Sequence, residues 1–231
     1  MKNILGIDGS KSGWVGVKQS SKQEGTLEIL FNNKLIDFLS PDIDLIIIDM
    51  PVGLDRNIQQ GGRLVDKEAR KRLLKRKSSI FNAPIRDVLK AKSYNEANTI
   101  SKNKGLGISK QSWNLIPKIN ELDQILQIKI RPQIYESHPE LCFQIMNDGA
   151  LKFSKKDKLG IKERKNILIK NGFDKKFLDN NLKKNKNFLS DDFLDACALS
   201  WTAKRIINEQ NINIPEDPEK DELGIIMQMK V

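Results

Sequence analysis

The distribution of apolar and polar residues divides the chain into short strands and longer helices. Residues 4–7 and 14–17 are apolar runs joined by a polar, glycine-containing turn, which predicts an N-terminal hairpin of two strands. Residues 45–48 are consecutive apolar residues, mostly branched, and they indicate a central parallel strand that is buried on both faces. Strands are predicted at residues 4–7, 14–17, 26–31, 43–48, 133–136 and 224–231.

Apolar residues at helical spacing predict helices between these strands. In residues 109–127, Trp113 lies on an apolar stripe that favours a place in the core over a base-stacking platform, and Pro117 starts or kinks the helix. Ser190 is predicted to cap the last long helix. Helices are predicted at residues 33–39, 63–77, 93–102, 109–127, 139–146, 157–171 and from 190 onward. Surface loops are predicted at residues 78–86, 174–187 and 215–221.

Length and composition fit a globular protein with a substantial core. The chain has 231 residues, enough for one large domain or two small ones, and 39% of them are apolar. No apolar run approaches the roughly 18 residues of a membrane span, and the N-terminus enters strand-like sequence without a cleavable signal. We therefore expect a cytoplasmic protein without a membrane partner. Cys142 and Cys197 lie among apolar residues and are expected to be buried, reduced thiols.

The chain is strongly basic, with a formal net charge of +10 and a pI near 9.5. This balance favours a polyanionic partner such as nucleic acid, although abundant Lys and Asn are equally consistent with a compositional bias. Residues 63–77 concentrate much of this charge. Their basic face is either simply solvated or turned toward phosphate groups, and the sequence leaves both readings open.

Two of the predicted buried strands end in an aspartate, Asp8 and Asp49. Functional groups collect beyond the carboxyl ends of parallel strands. If the strands are neighbours they lie about 5 Å apart, and carboxylates that close repel one another unless a cation lies between them. Taken alone, Asp8 is equally well explained as the first residue of an Asp-Gly turn.

Further acids stand at comparable positions. Glu136 follows an apolar strand, and the chain's single histidine, His138, lies two residues later and is read as either structural or functional. Asp192 and Asp195 share one face of the last helix, where the helix dipole explains Asp192 more readily than Asp195. Oxygen ligands of this kind suit Mg²⁺ or Mn²⁺. A carboxylate cluster in a basic protein predicts two-metal hydrolysis of phosphodiesters.

Several separate motifs in the chain resemble a known family. The sequence resembles the domain-of-unknown-function 429 family, predicted RNase H-like nucleases, over nearly its whole length. The last motif also resembles the closing helix of RuvC-type resolvases. The chain departs from the pattern at Ser10-Lys11, where Cys-Arg is common, and at Asp157, where threonine is common. The motifs are GIDGSKSGW (6–14), IDMPVGL (48–54), RKSSIFNAPIR (76–86), GISKQ (107–111), YESHPELCF (135–143), the lysines at 155–156 and DDFLDACALSWTA (191–203).

The resemblance implies an α/β fold with an RNase H-like mixed sheet flanked by helices. It implies a single domain of residues 1–231, with a core at about 1–54 and 130–231 and a helical insertion at about 55–128 beside the active edge. It further implies a Mg²⁺- or Mn²⁺-dependent nuclease acting on nucleic acid. The implied metal ligands are Asp8, Asp49, Glu136, Asp192 and Asp195, with His138 as a further catalytic candidate. The candidate phosphate contacts are Lys11, Arg70, Arg86, Lys155 and Lys156.

Two other functions are compatible with the sequence. One is an ATP-dependent phosphotransferase of the actin-like or sugar-kinase type, in which Asp8-Gly9-Ser10 forms a phosphate loop. The other is a non-catalytic nucleic-acid-binding protein that keeps the acids for a structural ion. The choice between DNA and RNA, the choice between Asp192 and Asp195 as the inner ligand, and the oligomeric state are left open.

Overall fold

A computed structural model describes residues 2–20, 26–57, 59–128, 132–183 and 186–231. Within these ranges the protein is an α/β structure with seven strands in one mixed sheet, in the order β3-β2-β1-β4-β5-β7-β6. The strands are β1 (Asn3–Gly9), β2 (Trp14–Ser20), β3 (Leu27–Asn32), β4 (Ile43–Ile48), β5 (Gln133–Glu136), β6 (Asn213–Lys220) and β7 (Ile226–Lys230).

The pairing of the strands confirms two predictions made from the apolar runs. β1 and β2 form the expected antiparallel hairpin. β4 lies between β1 and β5 and is parallel to both, so the strands that lead to Asp8 and Asp49 are neighbours. β5 is also parallel to β7, and β6 closes that side of the sheet antiparallel to β7. The carboxyl ends of β1, β4 and β5 therefore meet at one edge.

Seven α-helices are present in the described ranges, with three short 3-10 turns at Leu35–Phe38, Lys77–Ser79 and Arg86–Lys90. None of these helices is long and apolar enough to cross a membrane. The helices are α1 (Leu64–Arg72), α2 (Tyr94–Asn103), α3 (Lys110–Leu126), α4 (Pro139–Met146), α5 (Lys158–Lys170), α6 (Lys175–Asn181) and α7 (Ser190–Ile207). The predicted insertion, residues 55–128, contains only helices and irregular segments among its described residues.

Two of the predicted loops are wrong. Residues 174–187 contain α6, because the Asp174 carboxylate accepts a hydrogen bond from the Phe177 amide and Leu178 is fully buried. Residues 215–221 lie largely in β6, which pairs with β7 on both sides of a break between Ile214 and Glu219. The break contains two prolines, which cannot donate hydrogen bonds to a neighbouring strand.

The ends of two helices also differ from the prediction. α1 ends at Arg72. Arg76 has a φ of 56°, a left-handed conformation that a right-handed helix cannot contain. Ser190 is the first residue of α7 and not its cap. The Asp192 carboxylate instead accepts a hydrogen bond from the Leu189 amide at 2.9 Å. Asp192 thus holds the start of α7 as well as facing the sheet edge.

The sheet lies between two apolar layers, because alternate residues of each strand point to opposite faces. Ile4 of β1 packs in the layer formed with α4, α5 and α7. Leu5 packs in the layer formed with residues of α3 and the segments before it. Cys142 and Cys197 are free and buried in the first layer, as predicted.

Gly6 allows the backbone of α7 to lie directly against β1. A Cβ atom at this position would lie 2.1 Å from the Ser200 amide nitrogen and 2.4 Å from the Ala196 carbonyl oxygen. Any side chain here would push the helix away from the strand. Since α7 carries Asp192 and Asp195 and β1 carries Asp8, this contact also sets the distance between those acids.

We expect Gly6→Ala to lower the free energy of unfolding by about 3 kcal/mol or more, because rigid backbone must shift to admit one methyl group. Gly9→Ala, in the same strand, is the matched control, since its added Cβ would meet the flexible Lys118 side chain at 3.0 Å. Urea denaturation of both variants measures the difference. Equal stability of the two variants would contradict the close-packing argument.

Candidate active site

Two carboxylates are held at the carboxyl edge of the sheet by the pairing of β1 with β4. Ile7 pairs with Ile48, and the amide of Asp49 donates to the Ile7 carbonyl at 3.2 Å. Asp8 and Asp49 therefore follow paired residues on adjacent parallel strands. Asp8 is 6% exposed, and its Oδ1 accepts a hydrogen bond from the Gly9 amide at 2.8 Å.

The N-terminal half of α7 brings two more carboxylates to the same place. Asp195 is 1% exposed, and Asp192, one turn earlier, is half-buried. Asp8 interacts electrostatically with Asp195, Asp49 and Asp192. The structure thus brings together four of the five predicted metal ligands, and we refer to Asp8, Asp49, Asp192 and Asp195 as the acid cluster.

Lys155 supplies positive charge to the acid cluster. Its Nζ lies 2.6 Å from Oδ2 of Asp195, and its charge acts on all four carboxylates. Burial alone would lower the pKa of Lys155, but Asp195, Asp8 and Asp49 together raise it above its ordinary value. Lys155 was predicted as a phosphate contact; here it is the ion-pair partner of Asp195.

The environment of the acid cluster disfavours the charged form of each carboxyl group. Burial raises the pKa of Asp49 to about 6, although Lys155 acts in the opposite direction. Burial likewise raises the pKa of Asp195 and of Asp192 to about 6, and burial with the charges of Asp195 and Asp49 raises that of Asp8. Such crowding of like charges is typical of functional sites.

The donor atoms fit a hard divalent cation in their chemistry. Carboxylate oxygens are the ligands that Mg²⁺ and Mn²⁺ prefer, and Oδ1 of Asp195 is buried without a hydrogen-bond partner among the described residues. In those same residues, no three His, Cys, Asp or Glu side chains are arranged to hold a metal ion. In the arrangement seen here, Lys155 offsets part of the negative charge, and binding of a metal by three of the acids would require their side chains to reorient.

Glu136 lies in a separate ion-pair network. Its Oε1 is 2.7 Å from Nη2 of Arg63, and its Oε2 accepts from Nη1 of Arg63 at 3.0 Å and from the Val52 amide at 2.8 Å. Arg63 is 2% exposed and also pairs with Asp66 at 2.7 Å. Burial raises the pKa of Glu136 to about 7 against the effect of Arg63. Both oxygens are already engaged, and a ligand role for Glu136 stays a prediction.

His138 lies beside the acid cluster without joining it. Burial lowers the pKa of His138 to about 4, against the opposing charges of Glu140 and Asp195, so the ring is neutral at pH 7. Its Nδ1 has no hydrogen-bond partner among the described residues. The ring lines a cavity of about 20 Å³ together with Asp49, Arg63 and Glu136. A cavity of this size and polarity has room for about one water molecule.

The other predicted phosphate contacts are placed differently from one another. Lys11 and Lys156 are exposed. Arg86 is held by Asp123 at 3.0 Å and also by Asp221, neither of which belongs to the acid cluster. Arg70 donates to the Gly61 carbonyl at 2.8 Å and to Oδ1 of Asn82 at 2.7 Å.

Two residues near the site escape prediction from the sequence. Lys118 of α3 lies 4.2 Å above the Trp14 ring, donates to the Gly13 carbonyl and interacts with Asp8 and Asp192. Nothing distinguishes it from the other lysines in the sequence. Glu140 acts on Asp49 and is held by Arg164. Its place directly after His138-Pro139, in the first turn of a helix, was a usable signal.

Comparison with known families identifies one whose function is unknown. A family model described as "Protein of unknown function (DUF429)" matches residues 6–220. This match confirms the family expected from the motifs. No curated protein and no solved structure matches the chain.

We expect Asp49→Asn to raise the free energy of unfolding at pH 7 by about 1–3 kcal/mol in metal-free buffer, because the variant buries no charge. The pKa of Asp49 rises on folding from 3.8 to about 6. The folded state therefore keeps a proton that the unfolded state loses, and stability falls as pH rises through this window. The gain should be largely lost near pH 4, which is close to the unfolded pKa of 3.8 and well below the folded value.

Urea denaturation at pH 4 and pH 7, with EDTA present, measures this effect. Asp217→Asn is the control, since Asp217 is exposed on β6. A variant at Asp49 that is less stable than wild type at pH 7 would contradict the charge-burial argument.

Proposed function

The chain belongs to the DUF429 family, and we propose that it is a divalent-metal-dependent nuclease that hydrolyses phosphodiester bonds in nucleic acid. The observation that carries this proposal is the acid cluster. Three elements distant in sequence, β1, the end of β4 and α7, bring Asp8, Asp49, Asp192 and Asp195 together at one sheet edge. Four crowded carboxylates destabilise the fold, and a cation-dependent function explains why the protein carries them.

The architecture supports an RNase H-like core as part of this proposal. Asp8 and Asp49 follow neighbouring parallel strands in the middle of a mixed sheet, and α7 packs across β1. That is the placement implied by the resemblance of the motifs. The fold family is inferred by analogy, whereas the function is inferred from the residues of the site.

Under this proposal, Asp8 and Asp49 hold Mg²⁺ or Mn²⁺ together with Asp195, Asp192 or both. When bound, the metal activates water and stabilises the leaving oxygen of the phosphodiester. Asp195 suits the inner position because its Oδ1 is buried and unpartnered among the described residues. Asp192 is half-buried and already receives the Leu189 amide, which suits an outer position.

Basic side chains at the rim serve the polyanionic substrate. Lys118 and Lys155 place positive charge next to the carboxylates, where a phosphodiester group would bring negative charge. Lys11 and Lys156 are exposed and can contact the nucleic-acid chain outside the acid cluster. The formal net charge of +10 attracts nucleic acid at long range in a salt-dependent way.

The deciding experiment is cleavage of single-stranded, duplex, hybrid and four-way-junction substrates in Mg²⁺ and in Mn²⁺. We expect wild-type protein to cut at least one substrate, and Asp8→Asn to lose 100-fold or more of that activity, as an order of magnitude for a lost metal ligand. Lys34→Gln, at an exposed position outside the site, is the control for preparation quality.

Absence of cleavage on every substrate, together with absence of Mg²⁺ and Mn²⁺ binding by calorimetry, would overturn the nuclease proposal. Retained nucleic-acid affinity in Asp8→Asn and Asp49→Asn, without cleavage in any metal, would favour a non-catalytic binding protein. One structural observation favours the non-catalytic binding protein: the described residues contain no preformed set of metal ligands.

The ion pair with Lys155 makes a further prediction about metal affinity. Because Lys155 neutralises Asp195, we expect Lys155→Gln to bind Mg²⁺ about tenfold more tightly, or ~1.4 kcal/mol, while cutting nucleic acid more slowly. Lys156→Gln removes an adjacent exposed charge and is the matched control. Titration calorimetry measures both variants. Mg²⁺ affinity that is unchanged or weaker in Lys155→Gln would contradict competition between lysine and metal.

A further inference from the structure

A second cavity lies beside the acid cluster, on the side of the helical segment. Its volume is about 310 Å³, within the range of pockets that hold small organic ligands. Its walls come from residues 80–84 and 106–109, with Arg70, Gln111 and Ser112 completing it. Two of the sequence motifs, at 76–86 and 107–111, therefore form one cavity although neither supplies an acid to the cluster.

This cavity shares a wall with the active site. Ile80 and Phe81 line it and also line the 20 Å³ cavity that contains Asp49 and His138. The two cavities therefore adjoin at Ile80 and Phe81.

Arg70 brings positive charge to the cavity and has no direct ion pair among the described residues, although Asp66 lies one turn earlier on α1. Its partners are the Gly61 carbonyl and Oδ1 of Asn82, both uncharged, and its Nε is buried with no partner among the described residues. Within those residues, no carboxylate lies within ion-pair distance of Arg70. By contrast, Arg63, Arg86 and Arg164 are each paired with acids. A guanidinium that is held in place without a direct carboxylate partner favours an anion, above all a phosphate group.

The rest of the cavity wall suits a flat apolar ring with polar edges. Phe81 is half-buried and Leu106 is 43% exposed, and both present apolar surface to the cavity. Asn82, Ser109 and Gln111 are exposed at the rim and offer hydrogen-bonding groups. Aromatic and aliphatic walls bind bases by stacking, and amide side chains read their edges.

We propose that this cavity binds one unpaired nucleotide of the substrate, with its phosphate at Arg70 and its base against Phe81 and Leu106. The inference rests on the proposed function, in that the ligand is part of a nucleic-acid chain. A base that is paired within a duplex cannot present its face to the Phe81 and Leu106 side chains without leaving its stack. The preferred substrate is therefore single-stranded, or carries an unpaired nucleotide next to the cut.

Binding of small ligands tests the cavity independently of catalysis. Titration calorimetry in EDTA compares adenosine 5′-monophosphate, adenosine and inorganic phosphate. We expect the nucleotide to bind more tightly than either part, and Arg70→Gln to weaken it tenfold or more, as an order of magnitude for a bond to a charged group. Arg72→Gln, an exposed arginine on the same helix, should bind as wild type. Leu106→Trp should block the cavity without disturbing the core, since Leu106 is exposed.

Oligonucleotides then separate a free nucleotide from one within a strand. A single-stranded oligonucleotide should bind more tightly than a blunt duplex of the same sequence, and Arg70→Gln and Leu106→Trp should remove that preference. Equal nucleotide affinity in Arg70→Gln and Arg72→Gln, full affinity from phosphate alone, or equal binding of duplex and single strand would each overturn the inference. Cleavage without nucleotide binding would support the nuclease proposal and reject the nucleotide site. Nucleotide binding at Arg70 without cleavage would support the nucleotide site and reject the nuclease proposal.

Discussion

The contact between the backbone of α7 and the backbone of β1 is the constraint on which the site depends. It exists because residue 6 has no side chain, so that Ala196, Leu199 and Ser200 approach the strand at distances no Cβ atom would allow. A helix held this close places Asp195 beside the end of β1, where Asp8 lies. The position of one helix thus converts two strand-end carboxylates, which are common in α/β proteins, into a crowded cluster of four.

Two buried charged groups in the protein have opposite character. Arg63 is satisfied by Glu136, Asp66 and the carbonyls of Val52 and Gly53, and this network fastens the loop after β4 to β5 and α1. The acid cluster has more negative charge than its lysines balance, and burial raises the pKa of its members. The first arrangement is rigid because its hydrogen bonds are complete. The second is incompletely neutralised, because Lys155 and Lys118 face four carboxylates.

Local pattern was enough to predict the strands at the centre of the sheet, since β1 and β4 carry runs of mostly branched apolar residues. It also placed Asp8 and Asp49 at the ends of buried strands, but it did not establish that these strands are neighbours, which the pairing of β1 with β4 shows. It failed for α6, whose lysines and asparagines hide one buried leucine, and for β6, whose prolines resemble a loop. The pairing of Glu136 with Arg63, and of Lys155 with Asp195, joins residues far apart in sequence. Hydrophobic periodicity carries no information about such pairs.

The sheet edge has a consequence for the order in which the protein is made. β1 leaves the ribosome well before α7, the helix that packs on Gly6. Until α7 has been made, Asp8 and Asp49 lack Asp192 and Asp195 beside them. Such long-range contacts form slowly, because the chain loses the entropy of a large loop before it gains the energy of the contact. A nascent chain therefore carries no assembled acid cluster, and any hydrolysis that depends on it begins only after synthesis has passed α7.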